Sequence, residues 1–387
     1  MFPRLILQSL NRYLKTFPAV VITGARQVGK TTLLKESLSR SYNYVLLENP
    51  DTRAHALSDP RGFLEQYPAP VVFDEFQYAP ELLSYLQGII DKHRSKKGQY
   101  ILTGSQSFEM MAQVTQSLAG RAGILTLFGL CSAECPPMAQ SNSEKDLAQA
   151  VFRGAFPELW AQLDILPTDW FGSYLRTYIE RDLRNLTQVG DLVVFERFVR
   201  LCGIRTGQLL NISELGRDAG VSHSTAQRWI SVLERAYLIH LVHPYYENLS
   251  SRIKKSPKLY FLDTGLAAYL MGFKNSENLV GSPQWGALFE TWVIAEWRKK
   301  KSATGDIPEH CYLESKTGVG VDLMVKDLTK WDIFEVKASR TITEHSLSQI
   351  QKTAKLLEKR VRHKFLIAPV PEKRILQGIQ ITPWQEI

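Results

Sequence analysis

The sequence predicts an α/β chain of several domains that opens on a parallel sheet and closes on a second α/β domain. Three observations predict it. The apolar run "AVVIT" leads straight into the glycine-punctuated "GARQVGKTTLL". Two further short runs, "VVFDEFQ" and "YILTGSQS", are apolar until they end in acids or hydroxyls, as buried parallel strands do. Near the other end, "VGVDLMVKD" and "DIFEVKAS" alternate apolar with charged residues, the period of a strand. At 387 residues the chain exceeds one compact core and suggests two or three domains.

Composition sets the class. A hydrophobic content of 44% with 22% charged residues is that of a globular chain and argues against disorder. No run of eighteen apolar residues occurs, and "MFPRLILQSLNRYLK" lacks the pattern of a signal peptide, so a cytoplasmic protein without a membrane partner is expected. Four scattered cysteines, Cys131, Cys135, Cys202 and Cys311, read as free thiols, because no second pair or histidine cluster stands at zinc-ligand spacing. The net charge of +8 permits a polyanionic partner. The C-terminal third holds three basic groups: Arg252, Lys254, Lys255 and Lys258; Arg298 to Lys301; and Lys352, Lys355, Lys359, Arg360, Arg362 and Lys364. They read either as solvated faces or as a nucleic-acid surface.

An amphipathic helix from about Arg4 to Lys15 precedes the first strand. The loop after that strand satisfies G-x-x-x-x-G-K-[ST] through Gly24, Gly29, Lys30 and Thr31, with Gln27 and Thr32 in the same stretch. Glycines let backbone N–H groups turn around phosphate oxygens, and the helix that follows presents its positive end. Lys30 would neutralise the β- and γ-phosphates, and the Thr31 hydroxyl would hold Mg²⁺. The second strand ends in Asp74, placed for the Mg²⁺ shell, and Glu75, placed to polarise an attacking water. The third ends in Thr103, Gly104 and Ser105; lying between the other two, it would aim a hydroxyl at the γ-phosphate. Arg121 precedes a fourth strand, "ILTLFGL", where it would reach a neighbouring subunit's nucleotide.

Together "TGARQVGKTTLL", "VVFDEFQYAPEL", "ILTGSQS" and "SLAGRA" resemble a group of bacterial and archaeal AAA+ ATPases whose ATPase domain is followed by a domain of unassigned function. The resemblance continues through "YLRTYIERDLRNL", "FLDTGLAAYLMG" and "FEVKAS", nearly the whole chain. It implies ATP as the nucleotide, Thr103 or Ser105 as sensor, Arg121 as arginine finger, and a homo-oligomeric ring, often a hexamer.

Residues 1–131 are accordingly expected to be the AAA+ P-loop core and 132–200 a helical lid. In the lid Trp170, Tyr174 and Tyr178 recur at helical spacing, and Arg181 and Arg184 read equally as nucleotide contacts or solvated ion pairs. Residues 201–274 read as a winged helix. Gly220 makes the turn, Ser222 caps the second helix, and Ala226, Trp229, Ile230 and Leu233 face inward. That leaves His223, Ser224, Thr225, Gln227 and Arg228 for DNA, with Arg252, Lys254 and Lys255 on the wing.

Residues 275–387 run helix, strand, strand, helix, strand, an order that resembles the PD-(D/E)xK (restriction-endonuclease-like) fold. The acids sit where that chemistry needs them. Asp322 and Glu335 would share Mg²⁺, Glu290 would support it through water, and Lys337 would position the nucleophile. Val321 stands where relatives place a further acid. The expectation is an ATPase that acts on DNA, with a four-way junction as a candidate substrate. An ATP-gated nuclease and a nucleotide-dependent signalling or defence switch with a protein partner are the alternatives.

Overall fold

The structure is a computed structural model of the chain and describes residues 2–38, 41–104, 116–138, 143–178, 192–245, 256–315 and 318–387. Ser105, Arg181, Arg184, Arg252, Lys254, Lys255 and the Tyr178 side chain, all singled out above, lie outside the described residues. Two compact units result: one of Met1–Leu130, Arg235–Tyr237 and Lys299–Asp306, the other of Cys131–Glu234, Leu238–Arg298 and Ile307–Ile387.

In the first unit, helix α1 (Ile6–Thr16) leads into β1 (Ala19–Thr23), followed by α2 (Lys30–Leu38), β2 (Asn43–Leu46), α3 (Pro50–Ser58), α4 (Pro60–Gln66), β3 (Val71–Asp74), α5 (Leu82–Lys92), β4 (Tyr100–Thr103) and β5 (Ala122–Thr126). The strands form one sheet in the order β2-β3-β4-β1-β5, and every neighbouring pair is parallel. Every residue of β1, β3 and β4 is buried. That is why these strands read as unbroken apolar runs: helices cover both faces of a parallel sheet. Phe63, Phe73, Phe76, Leu82, Leu86 and Tyr100 pack in the core on the α3–α5 side. β4 does lie between β3 and β1, with Ile22 opposite Thr103 and Phe73 opposite Leu102. Parallel pairing therefore brings the loop after β1, Asp74 and Thr103 out at one edge, the carboxyl edge where open α/β sheets bind ligands.

The second unit begins with helices α6 (Glu144–Arg153), α7 (Pro157–Ala161), α8 (Pro167–Tyr178) and α9 (Leu192–Ile204). Trp170 stacks on Tyr174 with centroids 5.1 Å apart, one helical turn on. Next come β6 (Gln208–Leu209), α10 (Ile212–Ala219), α11 (His223–Arg235), β7 (Ile239–Val242) and β8 (Lys258–Phe261), with the strands antiparallel in the order β6-β8-β7. After α12 (Thr264–Leu270) and α13 (Trp285–Ala303) the chain builds a six-stranded mixed sheet from β9 (His310–Glu314), β10 (Gly320–Asp327), β11 (Lys330–Val336), β12 (Val361–Ala368), β13 (Arg374–Leu376) and β14 (Ile379–Pro383). Helix α14 (Glu344–Leu357) crosses between β11 and β12, which pair parallel.

β9, missing from the order expected for this part, is a short edge strand antiparallel to β10. Val242 and Tyr260 from the small sheet share a core with Ile294 and Trp297 of α13 and with Tyr312, Leu323 and Val325 of the large one. All four cysteines are buried and free. Among the described residues, no helix is long and apolar enough to cross a membrane.

Candidate functional site

The loop after β1 needs its glycines. Gly24 sits at φ +144°, and a Cβ there would lie 2.0 Å from the Leu127 carbonyl oxygen, so the loop closes only with no side chain at that point. Gly29 (φ +93°) and Gln27 (φ +59°) complete the reversal. The Arg4 guanidinium braces it from below, donating to the Val28 carbonyl at 2.8 Å and to that of Phe128 at 2.6 Å. Lys30 opens α2; its buried ammonium donates to the Gly24 and Ala25 carbonyls at 2.9 and 2.8 Å, folded onto the loop it would share with phosphate. Thr32, next along α2, is exposed.

Asp74 is 1% exposed and accepts from three hydroxyls. Thr31 donates to Oδ2 at 2.7 Å, Tyr44 donates to the same oxygen, and Thr103 donates to Oδ1. Tyr44, on β2, is not among the residues that the sequence singles out. Burial first, then the Asp74 hydrogen bond and charge, push its phenol pKa up. Thr103 also accepts from the Glu75 N–H at 3.2 Å, which ties β3 to β4. Glu75 itself is left-handed (φ +56°), and its carboxylate accepts from the Gln77 side-chain amide. The set fits a nucleotide with Mg²⁺: a glycine-built loop, an ammonium on that loop, and a hydroxyl bonded to a buried acid are what phosphate and the ion require, and Thr31 with Asp74 would hold the ion. Arg121 is apart from this set, bidentate to Asp91 at 2.7 and 2.8 Å and donating to the Ala119 carbonyl at 3.1 Å.

The second candidate surface is the start of α11. The Asn211 side chain accepts from the Glu214 N–H to cap α10, and Gly220 ends that helix at φ +78°. Ser222 Oγ then accepts from the Thr225 N–H at 3.2 Å to start α11. Ala226, Trp229, Ile230 and Leu233 are buried, and Trp229 lies edge-on to Phe195 and Phe198 of α9. His223, Ser224, Gln227 and Arg228 are exposed, and Thr225 is half-buried.

The third is a charge cluster beside the C-terminal sheet, in which Glu335 is buried and its neighbours are half-buried. Glu290 projects from α13, Asp322 from β10, and Glu335 with Lys337 from the end of β11. Between the first two stands a residue that the sequence places only among the basic groups. Lys258, on β8, donates to Glu290 Oε1 at 2.9 Å and to Asp322 Oδ1 at 3.0 Å. Tyr260 adds a hydrogen bond to Glu290 Oε1 at 2.6 Å, and the Val336 N–H donates to Asp322 Oδ2 at 2.9 Å. Lys337 pairs with Glu335 at 2.6 Å.

Burial and then the Asp322 charge raise the Glu290 pKa to about 7 and that of Glu335 to about 8. Asp322 moves the other way: burial pushes its carboxyl up, but Lys258, Lys337 and the Val336 N–H together outweigh it and hold it low. A cavity of about 260 Å³ opens on the cluster, lined by Lys258, Asp322, Glu335, Lys337, His345 and Gln349 among others. The Mg²⁺ expected between Asp322 and Glu335 does not fit this donor set, because both acids already hold an ammonium: Lys337 pairs with Glu335, and Lys258 ties Asp322 to Glu290. Among the described residues no group of three or more His, Cys, Asp or Glu side chains is placed to hold a metal ion.

The basic groups also need correction, since closeness in sequence is not charge on a surface. Lys258 is half-buried and tied to Glu290 and Asp322, and Lys299 is buried, donating to the Leu130 carbonyl at 3.1 Å. Arg360 donates to the Tyr245 phenol at 3.0 Å, and Arg362 is taken up by Asp332.

Three segments match protein-family models: residues 16–135 a family described as "AAA domain", residues 144–277 "Domain of unknown function (DUF8612)", and residues 285–387 "Domain of unknown function (DUF4143)". A protein of Mycobacterium tuberculosis described as uncharacterised is 29% identical over 315 residues, 77% of this chain and 69% of its own length. One from Haemophilus influenzae, likewise described, is 21% identical over 293 residues, 70% of this chain and 73% of its own. Among solved structures, a Walker-type ATPase of Pyrococcus abyssi has a TM-score of 0.45 at 15% identity, covering 70% of this chain and 96% of that one. The RuvB Holliday junction branch migration motor of Thermotoga maritima has 0.30 at 16%, covering 61% and 88%. Likeness at that level does not speak to what this chain acts on. The glycine loop with Lys30 and Thr31, the buried Asp74 at the parallel sheet's carboxyl edge and the matched family agree: residues 16–135 are an AAA-type P-loop ATPase domain, carried ahead of two domains of unknown function.

Proposed function

We propose that the chain spends its ATP hydrolysis on DNA, gripped through residues 201–274 acting as a winged helix. The observation that carries this reading is the split of α11: its inward positions are filled by Ala226, Trp229, Ile230 and Leu233, while His223, Ser224, Gln227 and Arg228 stand exposed at its N-terminal half. A helix so presented offers donors to base edges and phosphates. The net charge of +8 favours a polyanion at longer range. Arg252, Lys254 and Lys255 would extend the grip from the connection between β7 and β8.

Mg²⁺ accompanies ATP in this reading, held by Thr31 with Asp74 behind it. The acting form is a homo-oligomeric ring in which Arg121 exchanges Asp91 for a neighbour's nucleotide. Branched DNA such as a four-way junction is the substrate form we favour.

The test is ATP turnover with four-way junction, fork and linear duplex across a range of about 50 to 200 mM salt. We expect stimulation by DNA that falls steeply with salt, strongest with the junction. Gln227→Ala with Arg228→Ala should weaken that stimulation and make its salt dependence shallower, by about one unit of slope for each phosphate that is no longer neutralised. Turnover indifferent to all three DNAs would sink the proposal and favour a nucleotide-gated switch with a protein partner.

A further inference from the structure

We infer that the Lys258 ammonium is a built-in cation, standing where the C-terminal α/β domain would otherwise take a divalent metal between Glu290 and Asp322. The two acids come from different elements, α13 and β10, and a single Nζ lies within hydrogen-bond distance of both, at 2.9 and 3.0 Å. Any ion that bridged them would have to occupy that place. Two further donors hold the pair: Tyr260 donates to the same Glu290 oxygen as Lys258 does, and the Val336 N–H donates to the other oxygen of Asp322. Glu335, the third acid, has its own ammonium in Lys337 at 2.6 Å.

Lys258 is not free to swing aside. It starts β8, the middle strand of its sheet, with Leu209 and Val242 opposite it on either side. Its ammonium lies 5.6 Å from the centre of the Tyr312 ring, and its side chain is 11% exposed. Access does not decide the matter either, since the cavity opens directly on Lys258, Asp322 and Glu335. What decides is the shared cation: Lys258 is in contact with both Glu290 and Asp322, and a chain without it leaves that pair of acids open to a divalent ion. The domain then keeps the arrangement of a metal-dependent nuclease while its acids are held by a lysine.

The experiment is a titration with Mn²⁺ in nucleotide-free buffer, reading free ion by its paramagnetic resonance signal. Wild type and Asp322→Asn should take up Mn²⁺ equally. Lys258→Ala should gain one site per chain, at least about tenfold tighter than anything in wild type, and Lys258→Ala/Asp322→Asn should lose it again. An Asp322-dependent site in wild type overturns the inference, as does a folded Lys258→Ala that gains none. If Lys258→Ala folds only with Mn²⁺ present, that rescue supports it; if it folds under neither condition, wild type against Asp322→Asn decides alone. No nucleic acid enters the assay, so the result stands apart from the DNA reading.

Discussion

Asp74 is the residue on which the ATP site turns, and Tyr44 shows how much of its surroundings is supplied from a distance. Three hydroxyls hold the carboxylate, two from the motifs themselves and one from β2. Tyr44→Phe removes one donor and leaves the other two, so it should cost about 1 kcal/mol, the usual net worth of a hydrogen bond. Urea unfolding of the ATPase domain would read the loss; an unchanged midpoint would mean that water replaces the phenol at no cost.

Glu335 makes the opposite kind of prediction. Burial and Asp322 raise its pKa to about 8 from 4.5, against the opposing pull of Lys337, and Glu290 goes to about 7. Lys258, Glu314 and His345 are the other ionisable groups around the same cavity. Between pH 4.5 and about 8 the folded chain holds protons that the unfolded chain has released. The stability these acids contribute is therefore complete below pH 4.5 and is lost as pH rises through about 7 to 8. Glu335→Gln carries no such proton. Its melting temperature should gain on wild type steadily from about pH 5 to 8.5, and parallel curves would refute the assignment.

At the scale of elements, what could be read from sequence was what is local. The loop after β1 lies within one short consecutive stretch, and the turn between α10 and α11 hangs on a single glycine. Gly220 has nothing within 4 Å of where a Cβ would stand, yet its φ is +78°. Gly220→Ala should thus destabilise through backbone strain alone, by roughly 1–2 kcal/mol, measured by thermal unfolding. The apolar face of α11 was equally legible, because helical period fixes which side chains turn inward.

Tyr44 and Lys258 were not legible, and for one reason. Tyr44 meets an acid 30 residues away and Lys258 one 64 residues away, contacts set by which strands pair and in what register. Local spacing carries no trace of that. The same limit explains the basic groups: Lys258, Lys299 and Arg362 read as surface charge because their partners are far along the chain. β9 escaped notice because five residues at a sheet edge give too short a pattern to separate from loop.

For the whole molecule, the arginine across the boundary is the sharpest claim. If Arg121 serves a neighbour, Arg121→Ala and Lys30→Ala should each be nearly inactive alone, the latter down on the order of 10²–10³ in kcat. Mixed one to one in a freely exchanging ring, about a quarter of the interfaces would pair an intact finger with an intact phosphate loop, and a matching share of turnover should return. No recovery on mixing would confine Arg121 to its pairing with Asp91.

The lysine bridge has a consequence for inheritance. Residues 144–277 and 285–387 match separate families, yet Lys258 belongs to the first while the acids it satisfies, Glu290 and Asp322, belong to the second. Neither segment is self-sufficient in charge. A lineage that shuffled the C-terminal segment onto another ATPase would hand on two half-buried acids stripped of the lysine they share, and one that kept the middle segment alone would keep a lysine without these acids to neutralise. The two are free to travel only as a pair.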